Sequence, residues 1–229
     1  MFAVLFISGS AIAQFNFKKI KKSLGGDKLS TEEVAKGLKE ALTNGVSKGS
    51  DLASAVDGFY KNPEIKIPFP PEVRQVEEKL RQIGLGSQVD EFVVALNRAA
   101  EDAAKEAKPI FVTAVKEMTI QDAWSILKGE EDAATQYLNR TTSSQLHDKF
   151  KPVIQKSLAK VNATKYYSDL INTYNKIPFV KKVNPDLDDY ATEKAVDGMF
   201  VMVAKEEKNI RENPGARTTE LLEKVFKAQ

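Results

Sequence analysis

An all-α fold follows from three features of the 229 residues: no stretch sustains the alternation of a strand, apolar positions recur at helical spacing, and capping signals precede the apolar runs. The clearest helix is SQVDEFVVALNRAAEDAAKEAKP. Val89, Phe92, Val93, Leu96, Ala100, Ala103 and Ala107 fall within about 100° of one another on a helical wheel. Arg98, Glu101, Asp102 and Lys105 take the opposite side, with Arg98–Asp102 and Glu101–Lys105 spaced to pair along the helix.

From the N-terminus, residues 14–29 are expected to form a flexible basic linker, and the helical domain to run from 30 to 229. Ser30 or Thr31 caps the first helix, with Glu33 completing a capping box and Val34, Leu38 and Leu42 marking its apolar face. Gly45, Gly49 and Gly58 are expected to loosen the next helical stretch. NPEIKIPFPPE (62–72) holds four of the nine prolines and must leave the helix, as a first crossover segment. A short helix (Val73, Val76, Leu80) ends at Gly84 and Gly86, and the amphipathic helix around Leu96 comes next. Pro109 opens another helix; Thr119 with Asp122 caps one carrying Trp124 and Leu127, which Gly129 ends. EEDAATQYLNR and SSQLHDKFKPVIQKSLAKV supply two or three more, with Pro152 at a helix start or a kink. Lys165-Tyr166-Tyr167 leads a helix through Tyr174 into TYNKIPFVKKV, the second crossover. A helix of about seven turns lies between Pro185 and Pro214, and RTTELLEKVF forms a last one.

Several short words recur, and they are not a duplication. KIPF (66 and 176), EDAA (101 and 131) and AVDG (55 and 195) give offsets of 110, 30 and 140, where a tandem repeat requires one. In each KIPF the proline bars helix and pushes the preceding Ile to an extended conformation. Ile67, Phe69, Ile177 and Phe179 are therefore expected to anchor the two crossovers in the core; exposed, they would mark a partner-binding surface.

Composition narrows the function. With 34 Lys plus Arg against 32 Asp plus Glu, the net charge of +2 argues against a nucleic-acid binder. The absence of cysteine removes disulfides, thiolate nucleophiles and zinc–thiolate sites, and a single histidine removes multi-histidine metal centres. There is no phosphate-binding loop, dinucleotide fingerprint, G-x-S-x-G or H-E-x-x-H pattern, and no cofactor is implied. The leader MFAVLFISGSAIAQ is apolar, and Phe2 to Ala13 would span about 18 Å as a helix, too short for a bilayer. Ala11-Ile12-Ala13 fits a signal-peptide cleavage site, giving an exported, periplasmic or envelope protein with no transmembrane helix in its mature chain. KKIKK (18–22) after the apolar run argues for the alternative, a retained anchor or a cytosolic chain.

Four long blocks carry a resemblance: EALTNGVSKG…DGFYKNPEIKIPFP, EFVVALNRAAEDAAKEAKPIF, MTIQDAWSILKGEEDAATQYLNRTTSSQLHDKFKPVI, and YNKIPFVKKVNPDLDDYATEKAVDGMFVMVAKEEKNIRENPGARTTELLEKVF. Together, from about Ser30 to Phe226, they resemble the bacterial domain-of-unknown-function family 4197. The resemblance implies an exported, all-helical single domain and assigns no catalytic residue.

Two candidate sites stand out. Asp197 lies among apolar residues in AVDGMFVMVA, so it is expected in a buried polar cluster with Arg98, Glu101, Glu206 and Arg217, as an internal ion pair or an acid/base group. Tyr166, Tyr167, Tyr174, Phe179 and Tyr190 cluster in sequence, as core or as an aromatic ligand pocket. His147 has no histidine or cysteine partner and reads as a surface or boundary residue. Asp186, Asp188 and Asp189 read as a helix start rather than a calcium loop. The sequence thus favours a protein that binds a small apolar ligand or a protein partner. A carboxylate-based enzyme acting on an envelope polymer and a purely structural envelope component are the alternatives.

Overall fold

The computed structural model describes residues 30–213 apart from 177 and 180. Eight α-helices and one 3₁₀ turn, with no strand among the described residues, form a compact bundle. They are α1 (Thr31–Ser54), a 3₁₀ turn (Pro71–Val73), α2 (Arg74–Gln82), α3 (Gly86–Ala104), α4 (Ala107–Glu117), α5 (Ile120–Lys128), α6 (Ala133–Ala159), α7 (Ala163–Tyr174) and α8 (Leu187–Glu212). The signal segment, the basic linker and the RTTELLEKVF helix lie outside the described residues.

The capping signals work as expected. The Ser30 hydroxyl accepts from Glu33 N–H at 3.1 Å and the Glu33 carboxylate accepts from Ser30 N–H at 2.7 Å, a complete capping box. Thr119 and Asp122 form a second one, and Gly129 ends α5. Asp186 caps α8 by accepting from Asp189 N–H at 3.1 Å.

α8 is the axis of the bundle, packed against α1 and α6 and also touching α3 and α7. Two glycines set how closely the chain approaches it. A β-carbon at Gly49 would stand 3.3 Å from the Met202 carbonyl oxygen, and one at Gly198 only 2.6 Å from Phe59 Cε1. Gly49 therefore does not loosen α1, which runs unbroken to Ser54; it lets α1 lie against α8. The second revision is α6, a single helix of 27 residues with Pro152 in its interior, where two or three helices were expected. Its period of buried residues (Leu138, Thr142, Leu146, Phe150, Ile154, Leu158) holds one face inward across the proline. His147 lies midway along it, half-buried.

Between Ala55 and Pro70 the chain is non-helical and passes under α3 and α8. Phe59, Ile65, Ile67 and Phe69 are all buried there, as expected for Ile67 and Phe69. Ile177 lies outside the described residues, and Phe179 is a correction: it is fully exposed.

Candidate functional site

The carboxylate cluster expected around Asp197 does not assemble. Asp197 is on the surface, its side chain 66% exposed and 3.2 Å from Lys194 Nζ. The reason is the helical period: Lys194, Asp197, Val201, Lys205 and Lys208 form one outward ridge of α8, and the apolar Val201 disguises it in sequence. Of the expected members, Arg98 and Glu101 do meet: Arg98 donates at 2.6 Å to Glu101 and also to Asp57, which was not expected there. Glu101 is buried and also accepts the N–H groups of Phe59 and Tyr60 at 3.1 and 3.2 Å, which ties the turn after α1 to α3. Asp57, at φ 69°, pairs with Lys61 as well as Arg98, and these two hydrogen bonds hold its carboxyl below the usual range. Glu206 pairs instead with Lys48 at 3.0 Å, and Arg217 lies outside the described residues.

Glu207, next in sequence, has a role that local reading missed. It accepts the N–H groups of Ala134 and Thr135 at 2.9 and 2.8 Å and the Thr135 hydroxyl at 2.8 Å. It thereby caps α6, whose own Asp132 makes no side-chain cap. Arg211 pairs with Glu207 at 2.8 Å and donates to Ile126 O near the end of α5 at 3.0 Å. One ion pair thus joins two helix ends, each charge at the end that favours it. Only the tertiary fold places residue 207 there, so no local pattern could have revealed it. Glu101, Glu206 and Glu207 are each tied to structural partners.

The aromatic residues lead to an actual concavity. An apolar groove of about 610 Å³ lies between α2, α3 and α7. Leu80 of α2 and Leu85 of the link make one wall; Val89, Phe92 and Ala95 of α3 and Phe69 of the first crossover make the base. Val161 and, from α7, Ala163, Tyr166, Tyr167 and Leu170 make the other wall, with Gln88, Glu91 and the hydroxyls of Tyr166 and Tyr167 as the polar groups. Three rings run from the base into this wall: Phe69 and Phe92 are 5.2 Å apart between centroids, and Phe92 and Tyr167 stack at 6.2 Å. Tyr166 stands in the mouth, 67% exposed, while Tyr167 is 3% exposed. Burial pushes the Tyr167 hydroxyl up to about 12, with the Glu72 charge adding to it, so it is a neutral hydroxyl at physiological pH.

Of the five aromatics expected to form a pocket, Tyr166 and Tyr167 line this groove. Tyr174 packs against the core, and Tyr190 donates to Pro68 O at 3.2 Å, its hydroxyl also pushed upward by burial. Phe179 takes no part. Phe69 and Phe92 join from distant sequence, which is why a local cluster could not announce them.

The described residues thus form an all-helical bundle with an apolar groove open at its side. The chain itself belongs to the family described as "Protein of unknown function (DUF4197)", whose profile matches residues 28–227. No curated protein and no solved structure matches it. Among the described residues, no helix is long and apolar enough to cross a membrane.

Proposed function

We propose that this protein binds a small apolar ligand in the groove between α2, α3 and α7. The observation that carries this reading is the groove's makeup: about 610 Å³ walled mostly by aliphatic and aromatic side chains, with polar groups at Gln88, Glu91 and the hydroxyls of Tyr166 and Tyr167. That volume is within the range of about 300–1,000 Å³ in which small-molecule sites fall. The lining has no cation to fix an anionic head deep inside, so a neutral aliphatic or aromatic body suits it. Leu85 and Tyr166, both solvent-accessible at the mouth, would be covered by such a ligand. For a carboxylate-based enzyme the support is weaker, since Glu101 and Glu206 are each committed to structural partners.

The test uses the neutral fluorophore N-phenyl-1-naphthylamine. Wild-type protein is expected to enhance its emission saturably, and Ala95→Trp, which fills the base of the groove, to weaken binding at least about tenfold with helical circular dichroism retained. Leu170→Trp, on the opposite wall, serves where Ala95→Trp folds poorly. Probe binding indifferent to both substitutions sinks the reading. Export is part of the proposal, supported by the apolar segment ending at Ala11-Ile12-Ala13. N-terminal sequencing of protein recovered from the native envelope is expected to begin at Gln14, and an intact Met1 would overturn that part.

A further inference from the structure

The loop from Asn175 to Val183 is closed at its base by one side chain. Asn175 Nδ2 donates to Val183 O at 2.7 Å, and Val183 N–H donates to Asn175 Oδ1 at 2.9 Å. Beyond that clamp Phe179 stands wholly in solvent, 107% exposed, at φ 66°. A non-glycine residue in the left-handed region and a bare aromatic ring in water are both unfavourable, and no contact within the described residues compensates either. Lys176, Lys181 and Lys182 flank the ring, all exposed and none paired with an acid among the described residues. The sequence from Leu170 to Pro185 has no Asp or Glu. Asp169, just before it, is exposed; just after it, Asp189 and Asp186 face Lys151 at 2.5 and 3.8 Å, and Asp188 accepts from Thr164 at 2.9 Å.

We propose that this loop docks on an anionic lipid bilayer, with Phe179 at the boundary between headgroups and acyl chains and the three lysines among the phosphates. Charge complementarity selects an anionic surface, since the loop carries no acid and three cations with no acid partner among the described residues. A bilayer is favoured over an acidic protein by size. A specific protein contact needs about 1,200 Å² or more of shaped surface, whereas a lipid interface accepts a single protruding ring with flanking lysines. Lysine stems lie along the apolar boundary while their ammonium groups stay wet. The proposal rests on the loop's own residues and not on the groove. The two are nonetheless neighbours in the chain, because α7 carries Tyr166 and Leu170 in the groove wall and runs directly into the loop.

The experiment is cosedimentation of the full chain with phosphatidylcholine vesicles, with and without phosphatidylglycerol. Wild-type protein is expected to sediment only with the anionic vesicles and to be released by salt. Phe179→Ala should lower the partition coefficient roughly tenfold, and Lys181→Gln with Lys182→Gln roughly twentyfold. Phe179→Trp should add a blue-shifted emission on anionic vesicles over the Trp124 background. Naphthylamine uptake by Phe179→Ala should match wild type, so failure of the loop and failure of the groove are separable. The proposal is overturned if wild type ignores anionic vesicles, including the case where it binds polyglutamate instead. It is equally overturned if both loop variants sediment like wild type, which would assign membrane contact to the Lys18–Lys22 segment, or if Phe179→Trp shows no shift.

Discussion

At 66–69 the residues Lys-Ile-Pro-Phe run beneath the bundle, with Ile67 and Phe69 buried; at 176–179 the same four residues lead out of it, with Phe179 in solvent. Proline bars helix in both, and an asparagine amide closes a two-point hydrogen bond onto a non-helical residue in both. The difference lies in where that asparagine sits. Asn97 is fully buried on α3 and takes both Ile67 N–H and Ile67 O at 2.8 Å, with a further bond to Val93 O at 2.7 Å. Asn175 follows the last turn of a peripheral helix and clasps Val183, which is only half-buried. The tetrapeptide specifies departure from helix. The surface it is tied to specifies whether its phenylalanine becomes core or tip.

If that is right, the same substitution should have opposite consequences in the two copies. Phe69→Ala is expected to cost about 3 kcal/mol in urea unfolding, because it removes a ring packed on Phe92 at 5.2 Å. Phe179→Ala should stay within about 0.5 kcal/mol, as a substitution at a site that packs on nothing. Equal costs would break the contrast.

The clamps give the second comparison. Asn97→Ala leaves a buried N–H and carbonyl of Ile67 without partners and should cost about 2–3 kcal/mol. Asn175→Ala should cost about 1 kcal/mol, since water reaches Val183 and can replace the amide. A third, smaller effect tests how tightly the first crossover is pressed on α8. Gly198→Ala puts a methyl 2.6 Å from Phe59 Cε1 and 3.2 Å from Ile65 Cβ. Overpacking of about 1–3 kcal/mol is partly offset by a helix-propensity gain of about 1 kcal/mol, for a net loss of about 1 kcal/mol. A stabilised Gly198→Ala would show that the crossover yields.

Helix positions were legible because capping boxes and the wheel of α3 are local features, and local features are what a sequence displays. What it concealed was which side of each helix faced another. Asp197 looked buried because Val201, an apolar residue on an outward ridge, completed an apparently all-round apolar helix. The groove was half visible: Tyr166 and Tyr167 are adjacent to each other, but their partners Phe69 and Phe92 come from elements far away in the chain. Glu207 was hidden for the same reason, since the helix end it caps lies more than seventy residues earlier.

The smallest effect concerns pH, and it too separates the two copies. The first crossover abuts two tyrosine hydroxyls: buried Tyr167, stacked on Phe92, and half-buried Tyr190, which donates to Pro68 O. Both are raised by burial, Tyr167 from 10.0 to about 12. A group held more tightly to its proton in the folded state contributes stability that is complete below its unfolded pKa and lost as pH rises through its folded pKa. Stability should therefore be flat up to about pH 10 and fall between pH 10 and 12, by about 1 kcal/mol from Tyr167 near pH 11. Tyr190, raised further by burial, keeps its proton and its bond to Pro68 O through this window, so the loosening should appear first where Tyr167 stacks on Phe92. The loop at 176–183 has no tyrosine and should be unaffected. Urea midpoints measured from pH 8 to 12 check the window. Tyr167→Phe is expected to flatten the alkaline slope, and an unchanged slope in that variant would remove Tyr167 as its origin.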